Sequence, residues 1–512
     1  MDPNKRFYIT TAIDYANGSP HLGHAVEKIG ADVMARYHRR KGESVHFVIG
    51  MDEHGQKVLQ SADKAGVSPQ EWVDGIAREF EETWAVLSIS HDDFIRTTEA
   101  RHHRGVQEII KRIQAAGDFY QDTYSGYYCV GCEGYKTEEE LEELSDGQGE
   151  GLRCPVHPSL EVQWMEEENW FFRLSAYTQP LLDLLDERPE LVQPPMRRNE
   201  IRNVLEGGLE DISVSRSRLP WGVPWPDDPD HIVYVWLDAL TNYLTAVGFP
   251  HESYQETWPA DVHVIGKDIT RFHCIYWPAF LLSAGIELPK TVWAHGFVTY
   301  GGRKLSKSDG VTFDLQEAID RHGPDALRYY LLREVPWNGD GDITRERFDE
   351  RYTSDLANDL GNLCNRSLSM LEKYRGGVVP DAAPSTLDET CRRAVARYQE
   401  AMDDGLLHLG MAAAMEIVSM ANGFIERQAP WTLAKDPAGG PELDTTLASL
   451  VRALLVAATL LHPFMPVKMG ELVERLGVVG IPTLQDSLEL GLAGRSVKRG
   501  DPLFPRPDLR SK

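Results

Sequence analysis

The first hundred residues alternate short apolar strands with amphipathic helices, and this alternation restricts the fold more than any other feature. "RFYITTAI" reads as one strand and "SVHFVIG", from Ser44, as another. Between them a helix is expected from near Pro20, with Leu22, Val26, Ile29, Val33 and Tyr37 spaced for one buried face. Ser19 is the expected N-cap and Pro20 the first helical residue. Further helices are read at "PQEWVDGIAREFEETWAVL" and "RGVQEIIKRIQAAG". Strand, helix, strand, helix is the pattern of an α/β domain with a parallel sheet and crossover helices.

The pattern breaks at about residue 118. The following stretch holds a cysteine cluster, the acidic run "EEELEE" and the Pro/Trp-rich exit "LPWGVPWPDDPD". Strand and helix signals resume with "HIVYVWLDAL", "DVHVIG" and "TRFHCIYWPAFLLSAG". An α/β core interrupted by an inserted module accounts for this order. From about residue 346 only helical spacing is found, in "LANDLGNLCNRSLSMLEKY", "MAAAMEIVSMANGFIERQ" and "ASLVRALLVAATLLH", which points to an appended helical bundle.

Composition sets outer bounds. A chain of 512 residues suggests two to four domains. A net charge of −26 argues against a generally basic nucleic-acid coat but leaves room for a local basic track. No apolar run approaches the ~20 residues that span a bilayer, and "MDPNKRFYIT" lacks the order of a secretory signal. A cytoplasmic protein without membrane attachment is expected.

Chemistry gathers at two sites. In "YANGSPHLGH", His21 and His24 lie at i and i+3 at the start of a helix after a strand. Unpaired amides and the helix dipole make that position attractive to phosphate, and Gly23 is expected to let a ligand approach closely. Read alone, the pair could equally be incidental, lie in a core or bind metal. Far along the chain, "GGRKLSKSDG" places Lys304 and Lys307 in a glycine-led loop suited to close over a triphosphate. Read alone, it is a solvated surface loop. Separately, Cys129, Cys132, Cys154 and His157 form two C-x-x-[CH] knuckles, a tetrahedral set suited to one structural Zn²⁺.

"HLGH" and "KLSKS" resemble the HIGH and KMSKS motifs of class I aminoacyl-tRNA synthetases. "YANGSPHLGH", "GMDEHGQK", "YVWLDAL", "GKDITRFH", "HGFVTYGGRKLSKS" and "NLCNR" together resemble the methionyl-tRNA synthetases. The likeness runs from Phe7 to the helices after residue 440. Leu22 and Leu305 depart from the motifs by apolar exchange only.

The resemblance implies a Rossmann-type parallel-sheet catalytic domain at 1–117 and 226–290. It also implies a zinc-knuckle connective insertion at 118–225, a loop and stem-contact region at 291–345 and an anticodon-binding helical domain at 346–512. It implies activation of L-methionine by ATP with Mg²⁺, then transfer to tRNA(Met). His21, His24, Lys304 and Lys307 would hold phosphates and stabilise the transition state, with Arg216, or its neighbour Arg218, engaging phosphates and carboxylate. Gly266 and Asp268 would meet the ATP ribose. Ala12, Ile13, Tyr15, Trp236, Ala239, Leu240, Tyr243 and His273 would line the methionine pocket, and Asp52 would pair with its ammonium. Leu240 stands where some relatives have proline. The family's knuckle supports zinc at Cys129, Cys132, Cys154 and His157. Asn362, Arg366 and Trp431 would read the anticodon by edge hydrogen bonds and stacking. With no appended dimerisation module, a monomer is expected.

Other readings compete. Leucyl, isoleucyl and valyl enzymes carry a larger insertion, and a cysteinyl enzyme would place zinc against its substrate. A noncatalytic RNA-binding zinc protein would need no lysine lid. A nucleotidyltransferase sharing the H-x-G-H fold would leave the helical end unexplained.

Overall fold

The computed structural model describes residues 5–130, 134–143, 152–217, 219–304 and 313–506. Its central sheet is parallel throughout. The strands run in the order Val192–Gln193, Thr291–His295, Val262–Gly266, Arg6–Thr11, Ser44–Asp52 and Asp93–Arg96, and the short strand Asp14–Tyr15 pairs with the end of Ser44–Asp52. Alternate residues feed opposite faces. Phe7, Ile9, Phe47 and Ile49 enter a core shared with the first helix and the C-terminal helices, whereas Tyr8, Val48 and Ile95 enter the core on the other face. A sheet covered on both sides explains why its strands read as near-continuous apolar runs.

Arg6–Thr11 sits in the middle, with Ser44–Asp52, which follows the first helix, on one side and Val262–Gly266 on the other. The strand order reverses there. In open α/β sheets a crevice opens beyond the strand ends at such a point.

The first helix, Leu22–Arg40, buries Leu22, Val26, Ile29, Val33 and Tyr37 as its spacing predicts. It starts two residues later than the Ser19–Pro20 signal suggests, because the side chain of His21 acts as the cap. Gly30 permits close packing on its flank: a Cβ there would lie 1.9 Å from the Trp337 ring.

After the helix Ala100–Ala116, the chain leaves the core through a long antiparallel pair, Phe119–Cys129 with Gln163–Phe172. A small sheet of Glu142–Glu143, Leu152–Cys154 and His157–Glu161 accompanies it, around a core containing Cys129, Leu141, Cys154 and Val162.

The C-terminal region is helical, with Asn362–Arg375, Thr386–Asp403, Leu407–Gln428, Gly440–Leu461 and Pro466–Arg475 as its main members. Contrary to the expectation from sequence, Gly440–Leu461 is long and apolar enough to cross a membrane. Most of it is buried inside the fold, so its composition is that of a core helix. Arg328, fully buried, ties this region to the core: it donates to Asp32 and to the carbonyls of Leu87, Pro463 and Phe464.

Candidate active site

A cavity of about 940 Å³ opens beyond the C-terminal ends of the central strands. Its walls include Ala12, Ile13, Tyr15, His21, His24, Asp52, Trp236, Ala239, Leu240, Tyr243, Gly266, Asp268 and His273. Residues as far apart in sequence as 12 and 273 meet because each follows, or packs beside, the end of a strand at the switch point.

At the helix start the two histidines cap one another. His21 Nδ1 accepts from the amides of Gly23 at 3.1 Å and His24 at 3.4 Å, while His24 Nδ1 accepts from the His21 amide at 3.3 Å. The rings stack with centroids 3.7 Å apart. Since each Nδ1 is an acceptor, a neutral ring carries its proton on Nε2. Gly23 serves this geometry, since a Cβ there would stand 2.9 Å from His21 Cε1, and it is itself part of the cavity wall.

Elsewhere in the lining, the Trp236 ring stacks on Phe272 at 3.6 Å and 4°. Tyr243 Oη lies 2.7 Å from His273 Nε2, and His273 Nδ1 lies 3.0 Å from the Ile269 carbonyl. The carbonyl can only accept, so Nδ1 carries the proton and Tyr243 donates to Nε2. Burial pushes His273 down to about 4, so the pair is uncharged near neutrality, a suitable neighbour for a polarizable apolar group. Asp52, at the end of its strand, is a buried acid that also lines the cavity. At Gly266 a Cβ would meet Asp268 Oδ1 at 2.6 Å, so the glycine makes room for that carboxylate to fold back.

Sequence reasoning missed a charged layer beneath these groups. Lys28 Nζ, fully buried, reaches Asp14 Oδ1 at 2.8 Å, Glu27 Oε1 at 2.9 Å and the Ala12 carbonyl at 2.9 Å. His295 Nε2 lies 3.2 Å from Glu27 Oε2. Asp14, Glu27 and His295 all line the cavity. Burial pushes the Asp14 carboxyl up to about 7 despite Lys28, whereas Lys28 and His295 outweigh burial at Glu27 and hold it below its ordinary value. The position of Glu27 one turn beyond His24 was the available signal.

Arg216 does not line this cavity. It borders a separate small recess with His54, Tyr128 and Trp221, donates to Ser213 Oγ and the Ser215 carbonyl, and stacks over Tyr234 at 4.5 Å. Arg218 and Lys307 lie outside the described residues. The backbone of Lys304 ends the short strand Arg303–Lys304, which pairs with Val298–Tyr300; Val298 is itself a cavity wall.

Cys129, Cys154 and His157 bring their ligand atoms within 4.8 Å of one another, while Cys132 lies outside the described residues. Two thiols and an imidazole converging this closely fit a tetrahedral metal ion. In the helical region, Asn362 begins the helix Asn362–Arg375, and Arg366 pairs with Glu426 at 2.6 Å. Glu426 is in the last turn of the helix leading to the exposed Trp431.

The profile of the family described as tRNA synthetases class I (M) matches residues 7–368. The methionine–tRNA ligase of Rhizobium meliloti is 45% identical over 99% of both chains. That of Bacillus subtilis is 42% identical over 98% of this chain and 78% of its own. The chain belongs to the class I methionyl-tRNA synthetases. A solved methionyl-tRNA synthetase of Mycobacterium tuberculosis, in complex with methionyl-adenylate, superimposes with a TM-score of 0.93 at 42% identity, covering 98% of this chain and 100% of that one. The parallel central sheet and the helical C-terminal region agree with that family.

Proposed function

We infer that this chain activates L-methionine with ATP, releasing pyrophosphate, and passes methionine from the adenylate to tRNA(Met). The observation that carries the reading is the cavity whose lining brings together two imidazoles at a helix N-terminus, a neutral aromatic pocket and a buried acid. In the first step a methionine carboxylate oxygen attacks the α-phosphorus, and the bond from that phosphorus to the bridging oxygen breaks. The attacking carboxylate already carries its charge, so positioning and charge stabilisation do the catalysis. His21 and His24 donate to phosphate oxygens through Nε2, with Lys304 and Lys307 as the further cations. Asp268 accepts from the ribose beside Gly266. Asp52 holds the ammonium, and Ala12, Ile13, Tyr15, Trp236, Ala239, Leu240, Tyr243 and His273 enclose the thioether chain. In the second step a terminal tRNA hydroxyl attacks the methionyl carbonyl carbon and AMP leaves.

Mg²⁺, carried with ATP, supplies charge neutralisation of the phosphates. Zn²⁺ is structural in this reading, held by Cys129, Cys154 and His157 with Cys132 as the fourth donor. Asn362, Arg366 and Trp431 read the anticodon. The working form is a cytoplasmic monomer.

Exchange of labelled pyrophosphate into ATP, run with each of the twenty amino acids separately, tests the reading. Exchange with methionine alone is expected. Exchange with another amino acid overturns the pocket, and silence with all twenty overturns the enzyme.

A further inference from the structure

Behind the cavity wall lies a buried set of hydrogen bonds that the reaction itself does not use. His54 Nδ1 stands 2.6 Å from Asp238 Oδ2, and His102 Nε2 stands 2.8 Å from Asp238 Oδ1. Asp238 and His102 are completely buried and His54 nearly so. A carboxylate only accepts, so both rings donate to it. Thr245 Oγ1 holds the other ring nitrogen of His102 at 2.9 Å.

The positions of the partners give this set a role. His54 follows Asp52 by two residues at the end of the strand Ser44–Asp52. Asp238 lies between Trp236 and Ala239 on the short helix Val235–Leu240. The intervening Glu53 is pinned independently. Its amide donates to Thr97 Oγ1 at 3.0 Å, its carboxylate accepts from Arg96 at 2.6 Å, and its carbonyl accepts from Trp221 Nε1 at 2.7 Å. One short, dry bond therefore joins the element carrying the ammonium partner to the element carrying the thioether walls. Burial opposes ionisation of Asp238, yet the two histidines hold its carboxylate well below the ordinary range.

We propose that His54 and Asp238 are positioning residues whose bond sets the spacing between Asp52 and the Trp236–Ala239 wall, and so gauges the length of amino-acid side chain that the cavity accepts. This rests on the reading of Asp52 and Trp236 as methionine contacts. One methylene in a pocket is ordinarily discriminated by about 10–200-fold, and that ratio is what a displaced wall would lose.

The test compares pyrophosphate exchange with methionine and with its S-ethyl homologue, in the wild type and in His54→Ala, His54→Asn, Asp238→Asn and Asp52→Asn. His54→Ala and Asp238→Asn are expected to raise the methionine KM by about tenfold and to lower the methionine-to-ethyl preference similarly, with kcat and the ATP KM changed by less than about threefold. His54→Asn keeps an N–H at the δ position and is expected to restore most of the preference. An unchanged preference in folded His54→Ala overturns the gauge. So does a loss that falls equally on kcat and on the KM of both substrates, since that is general damage. If His54→Ala does not fold, His54→Gln, which moves the donor outward by one atom, is compared with His54→Asn; equal preferences overturn the proposal. Asp52→Asn separates the two levels. If it leaves the methionine KM unchanged, the pocket reading itself fails. If it acts while the His54 variants leave the preference intact, only the gauge fails.

Discussion

His21 and His24 each accept a backbone amide of the other's segment through Nδ1, so one reciprocal cap fixes two imidazoles that line the cavity. In the proposed reaction, structure and chemistry are divided between the two nitrogens of each ring. His21→Asn keeps an acceptor near the Nδ1 position and loses the distal donor. Its helix start should survive, with thermal stability within about 1 kcal/mol of wild type, while adenylate formation falls by about 10²–10³-fold. Paired thermal unfolding and pyrophosphate exchange check both halves.

Gly23→Ala attacks the same arrangement from the other side. The added Cβ would press on the His21 ring at 2.9–3.0 Å. The ring must turn, and the cap with it. A stability loss of about 1 kcal/mol is expected, together with a fall in exchange activity that raised ATP does not restore.

Gly30→Ala makes a different point, because its Cβ would overlap the Trp337 ring outright. Trp337 is fully buried. Destabilisation of about 1–3 kcal/mol or more is expected, measured by urea unfolding, with the methionine KM of the folded fraction unchanged.

His462 should make the fold acid-sensitive. Burial, reinforced by Arg36, Arg40 and Arg328, pushes its imidazole from 6.5 down to about 3. Between those values the unfolded chain binds a proton that the folded chain refuses, so stability is lost as pH falls through this window. His462→Phe removes the difference. Relative to its own stability near pH 7, the variant should lose about 2 kcal/mol less than wild type near pH 5, read by denaturant unfolding at each pH.

Metal removal should act locally. With Cys129, Cys154 and His157 converging on one point, chelation is expected to open the module between Phe119 and Phe172 to proteolysis and amide exchange. The strands of the central sheet should stay protected. Cys154→Ser should reproduce the effect and lower bound zinc by about one ion per chain, measured by metal analysis.

Much of this was legible in the sequence where local pattern and burial agree. The strands at Arg6–Thr11 and Ser44–Asp52 are buried on both faces, so their apolar runs identify them directly, and the five spaced apolar residues of the first helix are all buried. Its start was misjudged because histidine is not among the usual capping residues. The Asp14–Lys28–Glu27–His295 layer was hidden because its value depends on pairing across 268 positions, which no local spacing records. The resemblance implies Arg216, or Arg218, as the arginine engaging phosphates and carboxylate; the Arg216 guanidinium lies among Ser213, Ser215 and Tyr234, outside the main cavity.

The helix Leu22–Arg40 has 19 residues and is therefore about 28 Å long. One tip holds the paired imidazoles. The other is fastened to the helical end of the chain, through Tyr37 and Lys41 to Asp403 and through Arg40 to the Ile481 carbonyl. It is a continuous beam with a fixture at each extremity and no joint between. The separation between the paired imidazoles and the contacts made at the far end is thus fixed by the helix itself rather than by a loop.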